Sequence, residues 1–146
     1  MRKQLMPLHF VRPHGKTVLM SGVPETQLVE QWRELQGTYL RTSMAIDREL
    51  THRFGIGLSE FEVLDLVWGA QDPGQPCRMK DLRHLTSMTQ SALSRVVDRL
   101  HKAGLVDRKT CDDDRRALLV GFTEKGSDLY RQAVVAHRNL LAEHLS

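Results

Sequence analysis

The sequence has few of the residues that define several large protein classes. Its 146 residues include two cysteines, Cys77 and Cys111, too few for a disulfide-stapled secreted domain or a four-cysteine zinc site. No uncharged apolar run approaches the roughly 20 residues that a membrane-spanning helix needs. Pro7 and Arg12 interrupt any apolar core of a signal peptide. We therefore expect a cytoplasmic protein of one domain, without a membrane partner.

Motifs of catalytic sites are also missing. The sequence contains no Gly-rich phosphate loop, no nucleophile elbow and no His-Glu zinc motif. His137 and His144 are seven residues apart and have no accompanying acidic cluster, which argues against a metal site. We therefore predict that the protein is not an enzyme, with no catalytic residues, no cofactor and no bound metal.

Charge is distributed unevenly along the chain. The net charge is +3 overall, but it is +4 over residues 1–24, −5 over 25–76, +4 over 77–116 and zero over 117–146. A basic segment beside an acidic one indicates a localised anion-binding face. An ordinary solvated surface explains the same pattern, so charge alone leaves both interpretations open.

Apolar spacing predicts the helices. Residues 1–24 have no apolar periodicity and are interpreted as a flexible basic extension. A long first helix is predicted from 25 to Gly55, because its apolar residues have helical spacing. This stripe comprises Leu28, Trp32, Leu35 and Tyr39. A helix of roughly 42 Å exposes more apolar surface than so short a chain can cover, which suggests a partner chain.

Local motifs place the remaining elements. Ser59 and Glu62 have the spacing of a capping box and predict a second helix. Asp65 in this helix is either exposed, which we favour, or a polar anchor in a pocket. A short strand near Cys77–Met79 and a short helix over 80–85 follow, and then a helix capped by Thr89 and ended by Gly104. Two β segments, 105–110 and 117–122, form a hairpin, and Thr123 caps a final helix to Leu145. The predicted class is mainly α (α+β), with a winged helix-turn-helix.

The helix after Thr89 has the properties of a DNA-reading helix. Leu93, Val96, Val97 and Leu100 form one apolar edge, which turns the polar residues outward. The predicted DNA contacts are Thr89, Gln90, Ser91, Ser94 and Arg95 in the major groove. At the hairpin tip, Arg115 and Arg116 suit a narrow minor groove, and Asp114 is predicted to orient the wing.

Two stretches resemble the DNA-binding lobe of the MarR family. The first is Thr89-Gln90-Ser91-Ala92-Leu93-Ser94-Arg95, continued by Gly104-Leu105-Val106-Asp107-Arg108; the second is the wing pattern Asp114, Arg116, Val120, Phe122 and Thr123. The resemblance covers residues 25–146. It implies dimerisation helices at 25–55 and 124–146, with a DNA-binding lobe at 56–123 between them. It also implies a homodimer on a pseudopalindromic operator in double-stranded DNA.

The resemblance further implies a transcriptional repressor released by a small-molecule effector. Trp32, Tyr39, Phe61 and Trp68 are candidates for a pocket that binds a small aromatic effector, although aromatic residues at helical spacing are also typical of an ordinary core. An effector-independent DNA-binding protein, or one controlled by oxidation of Cys77 or Cys111, is the alternative.

Overall fold

The long first helix is present where the sequence predicts it. The computed structural model describes residues 24–70, 75–111, 113 and 116–146, and the chain divides into two units, Met1–Gly37 and Thr38–Ser146. Helix α1 (Glu25–Phe54) crosses that boundary. It begins after Pro24, whose carbonyl oxygen accepts from the amide of Gln27 at 3.0 Å. It ends at Gly55, which has a φ of +68°. Glycine adopts this positive φ without the steric cost that a Cβ would add.

Helix α2 (Leu58–Ala70) begins before the predicted capping box. Its first turn is capped from two other side chains: the amide of Gly57 donates to Glu60 Oε2 at 3.1 Å, and the amide of Leu58 donates to Asp47 Oδ1 at 2.8 Å. The prediction that Ser59 and Glu62 form the cap is therefore wrong. The carboxylate of Asp47, which projects from α1, supplies an acceptor that local spacing does not reveal.

The helix-turn-helix follows a very short strand. Strand β1 (Cys77–Arg78) leads directly into α3 (Met79–Leu85), and α4 spans Gln90–Lys102. The cap by Thr89 is confirmed, because its Oγ1 accepts from the amide of Ala92 at 3.2 Å. The end of this helix at Gly104 is confirmed as well, with φ at +72°.

The hairpin and the last helix complete the second unit. Strands β2 (Val106–Thr110) and β3 (Leu118–Phe122) pair antiparallel, and β1 adds to the other edge of β3, giving the order β1-β3-β2. Helix α5 (Glu124–Leu145) starts at Thr123, whose Oγ1 accepts from the amide of Gly126 at 2.9 Å. The predicted order of elements and the mainly helical winged helix-turn-helix fold are confirmed.

The core of the second unit joins α2, α4 and the sheet. Fully buried side chains come from each of these elements and from α1 and α3: Leu50, Phe61, Leu64, Leu82, Leu93, Leu100 and Val120. The helix-turn-helix and the wing therefore share one apolar interior, which holds α4 against the sheet. No helix in the described part of the chain is long and apolar enough to cross a membrane.

Candidate nucleic-acid interface

Helix α4 is strongly amphipathic. Its buried edge comprises Leu93, Val96, Val97 and Leu100. The opposite face is exposed over the N-terminal half, at Gln90, Ser91, Ser94 and Arg95. Burial of one edge fixes the helix in the lobe, so these four polar side chains point into solvent together. An amide, two hydroxyls and a guanidinium form the donor set that can read base edges and phosphates.

A basic cleft lies beside this face, between α3, α4 and the hairpin. It has a volume of about 500 Å³, and Gln90 and Ser94 of α4 contribute to its wall. Five cationic side chains also line it: Arg78, Lys80, Arg83, Arg108 and Arg116. So many cations around one cleft produce a positive potential that attracts a polyanion.

Four of these five cations were not among the predicted contacts. Arg78 and Arg108 lie on different strands of the sheet and come together only through β3, which pairs with both strands. Lys80 and Arg83 belong to the short helix α3. The charge of +4 over residues 77–116 is a sequence feature that points to this segment, but it does not identify which side chains share a face.

Asp98 forms ion pairs with two cations at the edge of the cleft. Its carboxylate accepts from Lys102 Nζ at 2.8 Å and from the Arg108 guanidinium at 3.2 Å. The hydrogen bond from Lys102, with the charges of Lys102 and Arg108, holds the pKa of Asp98 below its ordinary value. Because Asp98 is on α4 and Arg108 on β2, this pair links the helix to the wing and positions the Arg108 side chain at the cleft.

The structure separates the predicted DNA contacts into groups. Gln90, Ser94 and Arg116 line the cleft, whereas Arg95 lies outside its lining on the exposed face of α4. The hydroxyl of Thr89 caps the helix, so it is already engaged. Ser91 Oγ lies 3.4 Å from that hydroxyl. Asp114 and Arg115 lie outside the described residues, and their predicted roles at the wing remain predictions.

The predicted effector residues have different environments. Phe61 is 1% exposed and stacks on His137 with ring centroids 4.4 Å apart, so in this conformation it is a core residue with no surface for a ligand. Trp68 is 39% exposed and stacks on Tyr130 at 4.7 Å. Trp68 also lines a second cavity of about 550 Å³. Trp32 and Tyr39 are exposed on α1.

Asp65 is a polar anchor and not the exposed residue that the sequence suggested. Its carboxylate accepts from the Tyr130 hydroxyl at 2.7 Å and from the Arg138 guanidinium at 2.9 Å. Burial and the hydrogen bond to Asp65 raise the pKa of Tyr130. The same guanidinium donates to His137 Nδ1 at 2.8 Å. This network connects α2 to α5 within the second unit.

The two cysteines differ in their burial. Cys77 is buried, and its Sγ donates to the carbonyl oxygen of Val120 at 3.4 Å. Burial raises the pKa of the Cys77 thiol, which lowers its thiolate fraction and its reactivity. Cys111, at the end of β2, is half-buried. Within the described residues, no group of three or more His, Cys, Asp or Glu side chains could hold a metal ion.

Comparison with known proteins relates part of the chain to one family. A family model described as "MarR family" matches residues 54–117, which run from the end of α1 through α4 to β2 and end just before β3. The chain therefore resembles the MarR family over residues 54–117. It is 26% identical over 85 residues to the transcriptional repressor MprA of Escherichia coli strain K12. That match covers 58% of this chain and 48% of MprA, so the chain spans about half the length of that relative.

Solved structures of MarR-family proteins share the fold over most of the chain. AbsC of Streptomyces coelicolor is 27% identical, with a TM-score of 0.72, over 84% of this chain and 80% of AbsC. Sco3205 of the same organism, solved in complex with DNA, is 25% identical, with a TM-score of 0.73, over 90% of this chain and 78% of Sco3205.

Proposed function

We propose that this protein is a sequence-specific transcriptional repressor that binds double-stranded DNA. The observation that carries the proposal is the exposed face of α4 beside the five-cation cleft. The polar side chains of α4 suit base edges in a major groove, and the cations suit the phosphates that flank it. The DNA complex of Sco3205 and the name of the repressor MprA support the same function.

The decisive experiment is selection of genomic fragments bound by the purified protein. A repressor of this kind is expected to enrich a few fragments that share a pseudopalindromic sequence. It should protect that sequence from cleavage, and promoters that carry the sequence should become more active when the protein is deleted. Enrichment of no common sequence, with equal affinity for all duplexes, would contradict the proposal. Such a result would leave only sequence-independent DNA binding.

We also propose that the protein acts as a homodimer. Large apolar side chains are exposed on both candidate dimerisation helices: Tyr39, Leu40 and Met44 on α1, and Val135 and Leu145 on α5. A monomer rarely leaves so many apolar side chains in water, and two copies related by a two-fold axis would match a pseudopalindromic site. Light scattering should give about twice the 16.7 kDa chain mass. A stable monomer at micromolar concentration would contradict dimerisation.

Release by a small aromatic effector is a further part of the proposed function. The observation that favours it is the half-exposed indole of Trp68 on the wall of a cavity of about 550 Å³, a volume typical of small-molecule sites. A panel of phenolic compounds should raise the melting temperature and release the selected DNA. If none does either, the effector-independent alternative is correct. If the DNA is instead released by peroxide and rebound after a thiol reductant, the cysteine-controlled alternative is correct.

A further inference from the structure

The C-terminal half of α4 is tied to the start of α2 by one carboxylate. Arg99 Nε donates to Glu60 Oε1, and the amide of Gly57 donates to Glu60 Oε2 at 3.1 Å. Both oxygens of Glu60 therefore have a partner, and its side chain is only 17% exposed. A carboxylate held on both oxygens and shielded from water is more strongly bound than the mobile surface pairs that contribute almost nothing.

Helix α1 is anchored at the same place. The amide of Leu58, next to Gly57, donates to Asp47 of α1. A Cβ on Gly57 would lie 2.8 Å from Glu60 Oε2 and 3.1 Å from Asp47 Oδ1, so glycine leaves the space that the two carboxylates occupy. Directional hydrogen bonds therefore join α1, α2 and α4 at the first turn of α2.

These directional bonds complement the apolar support of α4. The buried edge of the helix, Leu93 to Leu100, holds α4 in the lobe by contacts that do not depend strongly on direction. Hydrogen bonds and ion pairs do depend on direction, and they restrict rotation and sliding of the helix. Within the described residues, Arg99 is the α4 side chain that bonds to another helix.

We propose that Glu60 is a positioning residue for DNA recognition. By holding Arg99 at the corner between α1 and α2, it sets the angle at which α4 presents Gln90 and Arg95 to a major groove. This inference rests on the proposed DNA binding. If Glu60 acted only through its charge, its removal would strengthen binding to any DNA alike, because a negative charge near a polyanion-binding surface would be lost. The electrostatic effect leaves the ratio of affinities for the selected and the scrambled duplex unchanged, whereas loss of positioning lowers it, so this ratio separates the two explanations.

The test compares Glu60→Ala with Glu62→Ala in the full chain. Both variants lose one carboxylate from α2, and Glu62 makes no hydrogen bond or ion pair with the described residues. Affinity is measured at one salt concentration for a duplex enriched by the genomic selection and for its scrambled version. Glu60→Ala should lower the ratio of the two affinities about fivefold or more, without weakening binding to the scrambled duplex. The same ratio in Glu60→Ala, Glu62→Ala and the unsubstituted protein would overturn the proposal.

A second measurement needs no DNA. Arg99 is half-exposed, so Arg99→Gln should fold even if Glu60→Ala does not. Each single variant should speed hydrogen exchange of the amides of 90–102 several-fold, and the double variant should exchange no faster than Glu60→Ala, because that variant has already lost the contact with Arg99. Unchanged exchange, or additive effects, would overturn the proposal. Absence of any enriched fragment would refute the proposed function instead, and the exchange result would still decide the role of Glu60.

Discussion

Replacement of Gly126 by alanine tests how tightly the first turn of α5 packs on the chain before the hairpin. A Cβ at Gly126 would overlap the carbonyl oxygen of Leu105 and lie 2.7 Å from its carbonyl carbon. These obstructing atoms are backbone, which cannot rotate away as the end of a side chain can. Either α5 or the segment that leads into β2 must therefore move.

The expected loss of stability follows from the hydrogen bonds that join the start of α5 to residues 103–105. The amide of Thr123 donates to the Leu105 carbonyl at 3.2 Å, the hydroxyl of Thr123 donates to the Gly104 carbonyl at 2.7 Å, and Lys125 Nζ donates to the Ala103 carbonyl at 2.9 Å. Overpacking costs about 1–3 kcal/mol, and each weakened hydrogen bond costs about 0.5–1.5 kcal/mol. Alanine recovers at most about 1 kcal/mol of helix propensity. We expect a net loss of about 2–4 kcal/mol in the free energy of unfolding.

Gly69 is the matched control. It lies inside α2, and a Cβ there would meet no atom of the described residues within 4 Å, so Gly69→Ala should raise the free energy of unfolding by about 0.5–1 kcal/mol. Urea unfolding followed by circular dichroism, at one protein concentration, measures both variants. If Gly126→Ala were as stable as the unsubstituted chain, the close packing of α5 on Leu105 would be refuted.

Three further predictions concern the candidate DNA interface and the pH dependence of the protein's stability. Arg95→Ala should reduce the free energy of DNA binding by about 1–3 kcal/mol per half-site and relax the preference at one base position in a binding-site selection. An unchanged preference would contradict contact between Arg95 and a base. Arg116→Ala should weaken binding to many sequences alike and reduce the salt slope by about one phosphate contact per wing, whereas an unchanged slope would show that Arg116 does not contact DNA. Burial, followed by the charge of Arg138, lowers the pKa of His137, so the unfolded chain binds the proton more readily. Stability should therefore be complete above about pH 6.5 and fall below it, and His137→Gln should reduce that fall in unfolding experiments, while the same change at exposed His144 should not.

The sequence by itself determined the elements and the orientation of α4. The spacing of Leu93, Val96 and Leu100 sets which face of α4 is buried, so the outward direction of Arg95 follows from helical geometry alone. The ends of the elements were equally predictable where the cap is local. Thr89 bonds to an amide three residues away, and Gly104 adopts the positive φ that favours glycine.

Only the tertiary structure decided which distant groups meet. Asp47 caps α2 from a position eleven residues before Leu58, and Asp65 accepts from Tyr130, 65 residues later in the chain. The cleft likewise unites Arg78 and Arg108 from strands that are both paired with β3. Periodicity and capping motifs report only on neighbours within a turn or two, because they arise from the geometry of a single element. Contacts between elements depend on how their faces pack, and a pattern within one element carries no information about the acceptor that another element supplies.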